Sequence, residues 1–389
     1  NIPTLVANTW TRIGLTLATP ASDTAIISVG LKYVTDLGAC TIWIDDVKQV
    51  WRDEVEIQAA IDALPAAGGK VVLSEGTFNL AVAIILKNYL VLEGQGMAAT
   101  ILQQNDGTKR IIEYTAAGDL WMMHLRDFTA QYDSGLGSTL DAIYIVPTGV
   151  MFHSSIEHVF GQYLDTTHYA FYLGNFQSCV FIQLRGDSLG GFIKLDCTST
   201  GGYNGDSVFI ECQGTVKKAG SVSTMRLMAS GGKRLNLIHF IYTVLKCEAN
   251  LDAAAYVLEI DNTWDCIFDR LQCEGGTGAG AGSLKLNNSQ YNTFRVAYID
   301  GNSTITSSPD NLFEQCRTGA VSVADRTVIF VGIIPSIIKG VAGVLQRPDR
   351  EIVENFSSLD AFATQGSPAL NAAGYCLLDT GATLNTVCE

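Results

Sequence analysis

Glu54-Val55-Glu56-Ile57-Gln58-Ala59-Ala60-Ile61-Asp62-Ala63-Leu64 runs into Pro65 and then into Gly68-Gly69-Lys70-Val71-Val72-Leu73-Ser74-Glu75-Gly76-Thr77-Phe78. Val55, Ile57, Ala60, Ile61 and Leu64 fall near helical spacing, so residues 54–64 read as one amphipathic helix. Pro65 and the glycine pair stop it. Lys70 to Phe78 then reads as a strand and a tight turn. Residues 83–86, 90–92 and 100–102 are further short apolar strands, and Gly94-Gln95-Gly96 turns the chain where a Cβ would clash. One helix followed only by short strands and turns suits a solenoid. Its open apolar end has to be covered, and an amphipathic helix does that.

Downstream, one short motif recurs: a polar or small residue, an aliphatic one, then usually Phe. It appears as His158-Val159-Phe160, Cys179-Val180-Phe181, Ser207-Val208-Phe209 and Asn236-Leu237-Ile238. It continues as Cys266-Ile267-Phe268, Asn292-Thr293-Phe294 and Asn311-Leu312-Phe313. The intervals of 21, 28, 29, 30, 26 and 19 residues fit coils of three short strands with variable loops. Aligned on the third position, Phe160, Phe181, Phe209, Ile238, Phe268, Phe294 and Phe313 predict an internal stack at about 4.8 Å. Gly174-Asn175, Asp261-Asn262 and Asn287-Asn288 mark a recurring small loop.

The passage from Ile57 to Ile101 resembles the start of the pectate-lyase-like right-handed parallel β-helix superfamily. The matching segments are Ile57-Gln58-Ala59-Ala60-Ile61-Asp62, Gly68-Gly69-Lys70-Val71-Val72-Leu73, Glu75-Gly76-Thr77-Phe78 and Leu92-Glu93-Gly94-Gln95-Gly96. Ser74 departs from the proline usual there. The resemblance implies an all-β, right-handed parallel β-helix of three strands per coil over residues 51–320, with an N-terminal capping helix. In style it is closest to bacteriophage tailspikes, which implies a homotrimer at a virion surface or outside the cell that binds, or binds and cleaves, a host surface glycan. Residues 1–50 resemble the second half of a jelly-roll carbohydrate-binding module, carried by Trp10 and Trp43-Ile44-Asp45-Asp46-Val47. They read as a partial β-sandwich, either a sugar-binding half-module or a connector to other virion proteins. Residues 321–389 read as a β-rich closure or oligomerisation region.

Composition narrows the partners. Of 389 residues, 47% are hydrophobic and 16% charged, which excludes a disordered chain. The net charge of −14 argues against nucleic acid, which needs a basic face, and against anionic lipid. The longest apolar run, 327–338, is too short to span a bilayer and contains Pro335. No secretory leader is visible at Asn1. The ten cysteines include no Cys-x-x-Cys, and the repeat sets Cys179 and Cys266, or Cys212 and Cys316, too far apart for a disulfide. They read as small buried fillers. No metal or other cofactor is expected.

The strongest polar cluster is His239, Asp269, Arg295 and Glu314 on successive coils, with Glu211 and Arg270 alongside. Paired carboxylates can hydrolyse a glycoside. A carboxylate beside an arginine can serve a lyase, the arginine holding the substrate acid while a base takes the proton. Glu211, His239, Asp269 and Arg295 are therefore the candidate catalytic residues. The same pattern also suits a charge-paired solvated sheet face. Tyr169, Tyr172, Tyr203, Trp264 and Tyr291 read as loop aromatics, and Tyr203, Trp264 and Tyr291 are the candidates for stacking on sugar rings. Three functions stay open: a tailspike-like polysaccharide-binding or depolymerising protein, a free-standing secreted lyase or hydrolase, and a non-catalytic structural or decoration protein.

Overall fold

The structure is a computed structural model. It describes residues 52–346, apart from positions 115, 135, 163, 189 and 253 and segments 199–204, 231–232, 249–251, 276–281, 324–328, 332–333 and 341–343, together with 378–379 and 385–386. The N-terminal strip 1–50, Tyr163, Tyr203 and most of the tail lie outside the described residues.

The helix spans Asp53–Asp62 and buries Ile57 and Ile61, while Val55 and Ala60 of the expected stripe face solvent. Three of its polar side chains do the work of a missing strand. Asp53 accepts a hydrogen bond from the Asn79 amide at 2.6 Å, Glu54 from the Ala81 amide at 3.2 Å and Gln58 from the Ile85 amide at 2.8 Å. Lys87 donates to the helix-end carbonyls of Ile61 and Leu64. The open edge of the first coil is thereby satisfied, as a buried strand edge requires.

Behind the helix the chain winds into a parallel β-helix. The first sheet runs without a break from Gly69–Val72 to Val344–Gln346. The second begins at Gly76–Leu80 and the third at Ile84–Ile85, and each pairs in parallel with the coil below. A short fourth side carries the pairs Leu120–Trp121 with Met151–Phe152 and Leu235–Asn236 with Thr263–Trp264.

Six phenylalanines stack inside the first sheet. Successive ring centroids from Phe181 through Phe209, Phe240, Phe268 and Phe294 to Phe313 lie 4.3, 4.8, 4.8, 4.7 and 4.6 Å apart. The rung spacing of a parallel sheet sets this separation. Two expected members are displaced. Phe240, not Ile238, aligns with Phe209, because Asn236-Leu237 belongs to the fourth side and its corner. Ile156, not Phe160, aligns with Phe181, and Phe160 pairs with Arg185 in the second sheet.

Corners are made by single residues in the left-handed region. Asn175, Asn262 and Asn288 (φ 50, 55 and 48°) close the third sheet. Asparagine tolerates this conformation because its short side chain bonds locally. The exit from the first sheet uses Gln183, Glu211, Tyr242, Arg270, Val296 and Gln315 at φ 49–55°. There the amides of Glu211 and Tyr242 donate to the next coil's Ile241 and Asp269 carbonyls at 2.9 and 2.8 Å, so the corner keeps its backbone paired. The seven described cysteines are buried. Burial pushes the Cys179 and Cys316 thiols up to about 11 and those of Cys212 and Cys266 up to about 12.

Candidate functional site

The outer face of the third sheet holds the densest polar cluster. Its strands repeat an apolar–variable–apolar triplet: Ile143-Tyr144-Ile145, Phe171-Tyr172-Leu173, Ile193-Lys194-Leu195, Met225-Arg226-Leu227, Leu258-Glu259-Ile260 and Leu284-Lys285-Leu286. The flanking residues are buried, and the central ones line up in one column on the other face. Register joins Glu113, Tyr144, Tyr172, Lys194, Arg226, Glu259 and Lys285, each beside the next.

The column is internally bonded. Tyr144 and Tyr172 meet edge to face at 4.9 Å. Arg110 lies 3.7 Å over the Tyr144 ring and Lys194 4.0 Å over that of Tyr172. The Tyr172 hydroxyl donates to Asp196 Oδ2 at 2.8 Å, and Lys194 Nζ stands 3.8 Å from the same carboxylate. Glu259 is met by Arg226 at 3.3 Å, by Lys285 at 3.0 Å and by the Ser223 hydroxyl at 3.0 Å. Asp196 and Glu259 are only 5% and 7% exposed, unusual for carboxylates on a sheet face. Asp196 Oδ1 is buried with no partner of its own. Two tyrosines border the column over glycines. A Cβ on Gly191 would come within 2.3 Å of the Tyr169 ring, and one on Gly282 within 2.5 Å of the Tyr256 ring.

Burial shapes the protonation of these groups. It lowers the Lys194 pKa against the opposing pull of Asp196 and Asp141. Burial first, and the bond to Asp196 second, lift the Tyr172 hydroxyl well above the usual phenol range. The column thus combines a lysine made easier to deprotonate, a tyrosine held neutral and a buried carboxylate oxygen without a partner.

The sequence-derived residues lie on other sides of the coil. Asp269, Arg295 and Glu314 stack on the first sheet as expected, with Arg295 Nε 3.4 Å from Glu314 Oε2. That pair is 52% and 41% exposed, the setting in which an ion pair contributes about 0–1 kcal/mol. His239 sits beside Ile267, one position before the phenylalanine column rather than after it, so it is not in line with Asp269. Its Nε2 is buried without a partner. Glu211 occupies the exposed corner and accepts from Gln183 at 2.7 Å. Trp264 and Tyr291 meet edge to face at 5.8 Å on the fourth side, with Arg234 3.2 Å over the indole. Tyr169 and Tyr172, read as loop residues, lie in the strand Tyr169–Gly174. Among the described residues no group of three or more His, Cys, Asp or Glu could hold a metal ion. No helix among them is long and apolar enough to cross a membrane.

No protein-family model matches the chain, and no curated protein matches it. Solved structures do match. The surface protein and adhesin PfbA of Streptococcus pneumoniae is 12% identical, covering 77% of this chain and 93% of its own, at a TM-score of 0.46. The Azotobacter vinelandii mannuronan C-5 epimerase AlgE4 A-module is 18% identical, covering 79% and 95%, at 0.40. A tailspike of Acinetobacter phage vb_AbaP_AS12 is 11% identical, covering 87% and 64%, at 0.43. The fold itself, a parallel β-helix, is shown by the register of the coils.

Proposed function

We propose that this chain is an extracellular or virion-surface β-helix that binds a polysaccharide along its third sheet. The observation that carries this reading is the unbroken column from Tyr144 to Lys285, bordered by Tyr169 and Tyr256. Its rungs repeat at about 4.8 Å, close to the length of one sugar residue, so a linear glycan lying along the axis meets a fresh side chain at each step. Tyrosine edges and cationic tips suit a polymer of hydroxyls better than an apolar ligand.

A second reading, depolymerisation, is favoured by one observation: Lys194 is held low by burial beside Tyr172 and Asp196. Burial moves Lys194 in the direction that a general base requires. Asp269, Arg295, His239 and Glu211 stand as the alternative catalytic group on the first sheet. Titration of the whole chain against a panel of bacterial surface polysaccharides, with product analysis, tests both readings. Binding that falls at least tenfold in Tyr172→Ala and Arg226→Ala, with unchanged folding, supports the third-sheet site. Binding that survives both substitutions refutes it. Cleavage abolished by Lys194→Ala but kept in Asp269→Asn assigns the chemistry to the third sheet, and the reverse pattern assigns it to the first.

A further inference from the structure

The outer face of the first sheet has a composition that glycan binding does not explain. One of its columns reads Glu93, Arg126, Glu157, then Ile182, Ile210, Ile241, then Asp269, Arg295, Glu314. The neighbouring column reads Val180, Val208, His239 and Ile267 over the same rungs, apolar except at His239. These strands are therefore largely apolar on both faces, the pattern of parallel strands that are covered on both sides. At the corners of this band Leu237 and Tyr242 are each 51% exposed, in backbone conformations (φ 53 and 54°) that large side chains rarely adopt. These two large side chains widen the exposed apolar area of the band.

We infer that this face docks a second copy of the chain, with the two solenoids running in opposite directions. The order of charges selects that occupant. Acid–Arg–acid flanks the aliphatic rungs on either side, with Val72 before Glu93 and Val331 after Glu314. Laid face to face in opposite directions and exactly centred, the two arginines would oppose each other. A shift of one rung either way sets Arg126 against Asp269 or Glu314, and Arg295 against Glu93 or Glu157. Isoleucine rungs still meet at the centre. The face is thus self-complementary, as a two-fold contact demands. Eight rung steps and the width from Leu237 to Tyr242 give a patch of about 38 by 17 Å, or roughly 650 Å² per copy. Stable complexes bury roughly 800 Å² per partner, so the patch with its rim is of sufficient size.

Sedimentation equilibrium or native mass spectrometry on the full chain tests this. The expected mass is that of a dimer. Ile182→Asp combined with Ile210→Asp should weaken the dimer by roughly a hundredfold, as loss of a buried interface centre does. Arg126→Glu combined with Arg295→Glu leaves the aliphatic centre intact and should weaken it by about tenfold, because every shifted pairing then sets acid against acid. Circular dichroism confirms that both variants fold. Glycan titration of the Ile182→Asp, Ile210→Asp variant should be unchanged, since neither isoleucine belongs to a candidate glycan site. A wild-type monomer at tens of micromolar, a trimer, or a dimer indifferent to both double variants overturns the inference.

Discussion

Tyr172 donates its hydroxyl hydrogen to Asp196 Oδ2 from the adjacent rung at 2.8 Å, and it is the only group of the third-sheet column bonded to that buried carboxylate through a neutral donor. A cationic neighbour, Lys194, stands at 3.8 Å. Tyr172→Phe keeps the ring under Lys194 and removes only the donor. A buried carboxylate losing its hydrogen bond costs about 1–3 kcal/mol. Thermal unfolding should show a loss in that range, and glycan affinity should fall with it. A variant as stable as the parent would mean that water already serves Asp196.

This cluster shows what could be read in advance. The triplets Phe171-Tyr172-Leu173 and Ile193-Lys194-Leu195 were visible, and their period of two is the ordinary mark of a strand. What was hidden is that loops of different length bring their centres into one column. Register lives in those loops, where spacing carries no periodic signal. The same blindness displaced Phe240. The tripeptide Asn236-Leu237-Ile238 imitates Asn292-Thr293-Phe294, but Leu237 is a left-handed corner and Thr293 is a strand residue. The capping helix and the fold were legible because Ile57, Ile61 and the glycine pair act locally. The first-sheet trio Asp269, Arg295 and Glu314 was legible because each directly follows a phenylalanine of the recurring motif, Phe268, Phe294 and Phe313.

Phe240 is fully enclosed between Phe209 and Phe268, with its ring within 3° of the Phe268 plane. Phe240→Ala opens a cavity in the middle of the stack and should cost about 3–5 kcal/mol. Phe240→Leu keeps most of the volume and should cost less than half of that. Denaturant titration checks the order. Equal losses for the two variants would mean that the stack is not packed as described.

Val296 turns the first-sheet corner at φ 50° with its side chain 53% exposed. A β-branched residue there is a true conformational outlier, and its exposure returns nothing in packing. Val296→Asn should stabilise the fold by about 1 kcal/mol, since asparagine enters this region with little strain. The midpoint of chemical unfolding, measured at a concentration where the chain is monomeric, should rise. A fall would place a hidden contact on the valine methyls.

His124 Nδ1 and Ser155 Oγ lie 2.8 Å apart on adjacent rungs. Burial lowers the His124 pKa below its ordinary 6.5, outweighing the upward pull of Glu157, and Arg126 lowers it further. The folded chain therefore binds this proton less readily than the unfolded chain. The stability that the neutral ring contributes is complete above 6.5, and it is lost as pH falls from there toward the depressed folded value. Below that value both states carry the proton and the loss stops. Unfolding midpoints taken from about pH 7.5 down to about pH 5 should decline in the wild type, and the decline should be shallower in His124→Gln, which cannot titrate. Identical slopes for the two proteins would show that His124 titrates alike in both states, and that the burial holding it neutral is absent in solution.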